Sequence, residues 1–131
     1  MTDTATPARP LSPHLQVYRW PVTMAMSIAH RFTGGALYFG TLLLVWLLLA
    51  AATGQSAYEL ASSVFGSILG QLVMFGYSLA LFHHMLGGIR HFVWDTGRGM
   101  EPGTRDAIAW ATLAGSVALT LLVWAIALAW R

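Results

Sequence analysis

The sequence predicts an all-α membrane protein with three transmembrane helices and a short polar N-terminal arm. Three observations carry that prediction. The chain is 56% hydrophobic and only 9% charged, whereas soluble domains carry about 25% charged residues. Residues 32–58 and 107–130 hold no charge, and residues 60–89 hold no fixed charge. Each of these stretches supplies the roughly 20 apolar residues that a membrane helix needs. Helix breakers lie between them: Thr53, Gly54, Gln55 and Ser56 after the first, and Gly97, Gly99, Pro102 and Gly103 after the second. A soluble bundle of three such helices would leave almost no chain to cover it.

The 131 residues make one domain, a single membrane anchor. Residues 1–24 form the arm and 25–131 the three-helix region. The arm opens MTDTATPARPLSPH, rich in Pro and Thr. It lacks the apolar core and small-residue cleavage site of a secretory signal, so it is expected to stay on the mature protein. The helices are expected near 25–52, 63–93 and 106–130, with Asp106 or Thr104 capping the third.

Orientation follows from the arginines, the only basic residues besides histidine. Arg9, Arg19 and Arg31 stand at the first end, and Arg90, Arg98 and Arg105 around the second loop. The first loop holds only Glu59. Positive residues concentrate on the inner side. The N-terminus and second loop are therefore expected in the cytoplasm (or the matrix of a mitochondrion), with the C-terminus outside. For a bacterium this is a multi-pass inner-membrane protein with a periplasmic C-terminus. Trp20, Trp94, Trp110 and Trp130 fall near expected helix ends, where interfacial aromatics sit.

Several functions are excluded. With no Cys, this chain offers no thiol catalysis, disulfide or iron–sulfur ligation. The net charge of +2 comes without a basic patch interleaved with aromatics, so nucleic acid is set aside as a partner.

The second helix carries the unusual chemistry. Ionisable residues inside a membrane helix are costly and face protein or a cavity. His83 and His84 lie well inside it, and His91 near its end. His84 and His91 share a face, about 10 Å apart along the axis, joined by Gly70, Tyr77 and Gly88. Gly66 and Gly70 make a GxxxG spacing, common in packed membrane helices. An imidazole can ligate haem iron, with basic partners for the propionates. A His bonded to a neighbouring Ser, Thr or carbonyl is the competing reading, and position alone does not decide. Periodicity does not separate His83 from His84 either, since His83 shares its face with Gly76, Arg90 and Gly97. At the start of the first helix, Ser27 and Arg31 share a face with His30 beside them. They fall at the same membrane surface as Arg90, His91 and Asp95. Ordinary interfacial anchoring by Arg, with Ser as a cap, is the better explanation of that gathering from the residues alone.

Two longer patterns reach further. Arg9-Pro10-Leu11-Ser12-Pro13-His14 followed by Ser27-Ile28-Ala29-His30-Arg31-Phe32-Thr33 resembles the N-terminal signature of the cytochrome b subunit of succinate dehydrogenase (complex II). The run from His84 to Gly97, HMLGGIRHFVWDTG, resembles that family's second signature. The resemblance covers essentially the whole chain. It implies a heterotetramer of a flavoprotein, an iron–sulfur subunit, this chain and a second small anchor, set in a lipid bilayer. It implies haem b, with His84 as one axial iron ligand and the second axial His from the partner anchor. It places His30, Arg31 and His91 near the propionates. Ser27 and Arg31 would bind the quinone, expected to be ubiquinone, and Asp95 would help deliver protons to it. His83 beside the expected ligand departs from the pattern. The implied function is passage of electrons from succinate oxidation to quinone, with no catalysis by the chain alone. The alternatives are a fumarate reductase anchor or a structural anchor without cofactor.

Overall fold

The computed structural model describes residues 19–130. Among them the chain forms four helices and no strand: α1 (Val22–Thr53), α2 (Gln55–Gly66), α3 (Ile68–Asp95) and α4 (Pro102–Ala129). Three of these, α1, α3 and α4, are long and apolar enough to cross a membrane. With 32, 28 and 28 residues, each exceeds the hydrocarbon thickness of about 30 Å at about 1.5 Å per residue. The Arg9–His14 segment and Arg131 lie outside the described residues.

The element boundaries have local causes. Pro21 sits extended, with φ −66° and ψ 148°, directly before α1. Its ring fixes φ and it has no N–H to contribute, so the helix begins at once behind it. That start is three residues earlier than the sequence suggests. Gly54 separates α1 from α2 with φ +140°, a conformation that side chains disfavour.

The connection after the first span is itself a helix, α2, and the second span begins at Ile68 rather than 63. The reason is Ser67, which leaves the helical region with ψ 159°. Its hydroxyl accepts from the Gly70 N–H at 3.1 Å, capping α3. At 12 residues α2 is too short to span. Gly66 and Gly70 therefore belong to different helices, and their spacing forms no stripe on one helix face. Gly70 is needed because a Cβ there would strike the backbone of Val64 and Phe65 at the end of α2. The last helix opens with Pro102 in its first turn behind Glu101. Neither Thr104 nor Asp106 caps it. Asp106 instead accepts from Arg105 Nε at 3.1 Å.

The chain packs around α3, which contacts α1, α2 and α4. Its buried face is Gly70, Ala80, His83, Gly87 and Arg90. The buried face of α4 is Ala109, Thr112, Ser116 and Thr120, all small. Small residues let membrane helices approach closely. The three hydroxyls donate within α4, to the carbonyls of Ile108, Leu113 and Ser116 at 2.7–2.9 Å, so they impose no unpaired donor. Nearer the α2 end, Trp124 Nε1 donates to Ser78 Oγ at 3.3 Å and its ring meets Phe75 edge-on. Most large apolar side chains of α1, among them Phe32, Tyr38, Phe39 and Leu42, remain exposed, as lipid or a neighbouring subunit requires.

Candidate functional site

The N-terminal half of α1 runs antiparallel beside the C-terminal half of α3, and three imidazoles meet there. The His30 and His84 rings stack with centroids 3.9 Å apart and planes 5° from parallel. His91 approaches His30 at 5.5 Å and 58°, and meets Trp94 edge-on at 5.4 Å. Arg90 lies over the same Trp94, 5.0 Å from the ring centroid, in the range of a cation–π contact. The cluster thus brings His30, His84 and His91 together.

Two glycines make the stack possible. A Cβ on Gly87 would occupy the space of the His30 ring. A Cβ on Gly34 would lie 3.0 Å from His84 Cε1. The ring of His84 is held from α1. Its Nδ1 lies 3.1 Å from the His30 carbonyl oxygen and 3.3 Å from the Thr33 hydroxyl. That hydroxyl also donates to the same carbonyl at 3.0 Å. Among the described residues, His84 Nε2 makes no hydrogen bond.

His83 and His84 are separated by their surroundings, though periodicity could not separate them. Only 5% of His83 is exposed, and its Nε2 is buried without a partner. It faces the interior with Arg90, which is 2% exposed with Nε and Nη1 also unpaired. His84 is half-buried and turned to α1.

The remaining expected residues are more dispersed. Arg31 is exposed on the outer face of α1, lining a broad surface groove of about 650 Å³ with Ile28, Phe32, Gly35, Ala36 and Phe39. Ser27, one turn earlier, is half-buried. Asp95 is exposed at the last turn of α3 and forms no ion pair among the described residues. Ser27, Arg31 and Asp95 thus share one end of the bundle with the imidazoles, with no ion pair among them in the described residues. The sequence alone gives no role to Thr33, Gly34 or Gly87, and only that of an interfacial aromatic to Trp94. Each matters through a neighbour 50 or so positions away or one turn away, and no local pattern marks that.

Fold and site together define a class: a multi-pass membrane subunit whose spanning helices hold a cluster of imidazoles at one end of the bundle. Residues 5–123 match the family model described as succinate dehydrogenase/fumarate reductase transmembrane subunit. The chain is 43% identical over 122 residues to the succinate dehydrogenase cytochrome b556 subunit of Paracoccus denitrificans, covering 93% of this chain and 94% of that one. It is 38% identical over 116 residues to the cytochrome b556 subunit of Rickettsia prowazekii, covering 88% and 90%. It is also 42% identical over 117 residues to the mitochondrial cytochrome b560 subunit of Sus scrofa, covering 88% and 66%. The chain belongs to the succinate dehydrogenase/fumarate reductase transmembrane-subunit family. Its function is that of a succinate dehydrogenase membrane anchor, a subunit of the complex II oxidoreductase.

Proposed function

We propose that this anchor holds haem b through His84, shares that haem with a second small anchor, and forms part of the site where quinone accepts electrons from succinate oxidation. One observation carries the reading. His84 has its Nδ1 engaged by α1 and its Nε2 left without a hydrogen bond. Metal-ligating histidines adopt that arrangement, one nitrogen oriented by a carbonyl or hydroxyl and the other given to the metal. The Gly34 backbone beside the ring keeps the ring's edge clear of side chains. The donor set therefore fits a haem with one axial ligand from this chain. A second imidazole would come from the partner anchor, since His30 stacks flat on the His84 ring and His83 is buried inside this chain with Arg90.

When bound, the haem supplies a reversible one-electron carrier beside the quinone. The chain's own residues do the rest. His30, Arg31 and His91 provide basic groups near the propionates. Ser27 and Arg31 donate hydrogen bonds to a quinone carbonyl, a hydroxyl and a guanidinium facing an acceptor. Such donors stabilise charge that develops on that oxygen. Asp95, exposed at the same end, is placed to pass protons from water towards it. The electrons arrive from an iron–sulfur subunit and a flavoprotein docked on that surface, which the arginine distribution assigns to the cytoplasm of a bacterium. Ubiquinone is the proposed acceptor.

Two variants at adjacent positions test the reading. His84→Leu should abolish the low-spin bis-imidazole spectrum of the assembled complex, while His83→Leu should retain it. Both replace an imidazole by an apolar group at similar depth, so insertion is controlled. The reverse outcome would make His83 the ligand.

A further inference from the structure

We infer that Thr33 is a positioning residue for His84: its hydroxyl, with the His30 carbonyl, fixes which nitrogen of His84 carries the proton and sets how strongly the ring donates to iron. The inference rests on His84 being a haem ligand and goes beyond that reading.

The geometry is a triangle. Thr33 Oγ1, the His30 carbonyl oxygen and His84 Nδ1 lie 3.0, 3.1 and 3.3 Å from one another. A carbonyl oxygen only accepts. The Thr33 hydroxyl has a single proton and spends it on that carbonyl, so towards His84 it too can only accept. Both neighbours of Nδ1 are then acceptors, and Nδ1 must be the protonated nitrogen. The lone pair is left on Nε2. The ring cannot rotate away from the triangle easily, because the His30 ring stacks on one face of it and Gly34 lies at its edge. His30 in turn is seated where Gly87 has no side chain. Helix α1 thus sets the state of a ligand carried by α3.

The same triangle has an electronic consequence. A proton shared between two acceptors is drawn from the ring more strongly than one given to a single acceptor, and oriented hydrogen bonds of this kind raise ligand basicity. A more basic imidazole favours ferric over ferrous iron. Loss of the Thr33 hydroxyl leaves the carbonyl as the sole acceptor. It also frees that carbonyl from the hydroxyl, an opposing effect that acts only indirectly, through a second bond.

The test is redox titration of haem b in the assembled complex carrying Thr33→Val, which removes the hydroxyl and keeps the shape. The midpoint potential should rise, the ferric g-values should move, and Thr33→Ser should restore both. Thr33→Ala, smaller than either, replaces the valine variant should that one fail to assemble. An unchanged or lowered potential at full haem occupancy in the hydroxyl-free variant overturns the inference. So does a serine variant that behaves like valine. Failure of the underlying reading is separate: it would appear as a bis-imidazole spectrum surviving His84→Leu.

Discussion

At the scale of single residues, the candidate site divides into groups held by the fold and groups left open. His30 and His84 are held against each other; Arg31 and Asp95 are exposed to whatever docks on that end, with Ser27 half-buried beside them. That division suits a site completed by other subunits. Ser27 is the cleaner test of the two donors, because Arg31 is also assigned to a propionate. Losing one preorganised donor costs on the order of 10²–10³ in rate. Ser27→Ala should therefore cut succinate-driven quinone reduction severely, while succinate oxidation by an artificial dye continues on the other subunits. Near-normal quinone reduction in an assembled Ser27→Ala complex would remove Ser27 from the site.

The interior pair is a different matter. His83 and Arg90 are almost fully buried with unpaired nitrogens, and an unpaired buried polar group is costly. For Arg90 the described residues offer one compensating contact, the face of Trp94. The pair makes His83 a poor candidate for a ligand shared with another chain.

At the scale of elements, the seam between α1 and α3 is the critical contact. Its closeness depends on Gly87, whose missing side chain admits the His30 ring. Overpacking a tight contact costs about 1–3 kcal/mol. Gly87→Ala should displace His30, loosen the grip on His84, and lower the haem-to-protein ratio of the purified complex. Gly76→Ala is the control on the same helix, since a Cβ there meets nothing within 4 Å. Equal haem content in the two variants would show that the seam does not depend on the close approach.

The spanning helices were legible in the sequence because hydropathy and charge report directly on a bilayer. That His30 and His91 fall at one end was legible too, from their positions along the helices; the stacking of His30 on His84 was not. Periodicity alone did not choose between His83 and His84; only the resemblance of the second signature pointed to His84. Adjacent residues point about 100° apart on a helix, and only the position of α1 says which direction is which. Helix α2 was missed because its apolar residues, Ala61, Val64 and Phe65, continue the run of α3 in composition. The break rests on one serine side chain and one glycine packed against a carbonyl.

At the scale of the molecule, the antiparallel meeting of His30 with His84 and His91 places the start of α1 and the end of α3 at one surface. Arg19, Arg31, Arg98 and Arg105 gather at that end, and Glu59 in α2 lies at the other. The chain has no cysteine of its own, so single cysteines read the orientation without background. In intact cells, an impermeant thiol reagent should label Ser56→Cys and leave Thr96→Cys unlabelled until the membrane is opened. Labelling of Thr96→Cys in sealed cells would invert the topology and move the iron–sulfur docking surface to the outside.

The central position of α3 also bears on how the chain enters the membrane during synthesis. Its mean hydropathy is 1.4, against 2.1 for both α1 and α4, and it alone carries two histidines and an arginine on its buried and half-buried faces. Inserted singly, it would present those groups to lipid, and a polar or charged group facing lipid opposes insertion, most strongly towards the helix centre. When α3 emerges from the ribosome, α1 is already in place to receive the His84 side, but the helix that covers its other side has not yet been made. The short loop at residues 96–101 means that α4 follows within a few residues. The weakest inserter is thus bracketed in time, as it is in space, by the two strongest.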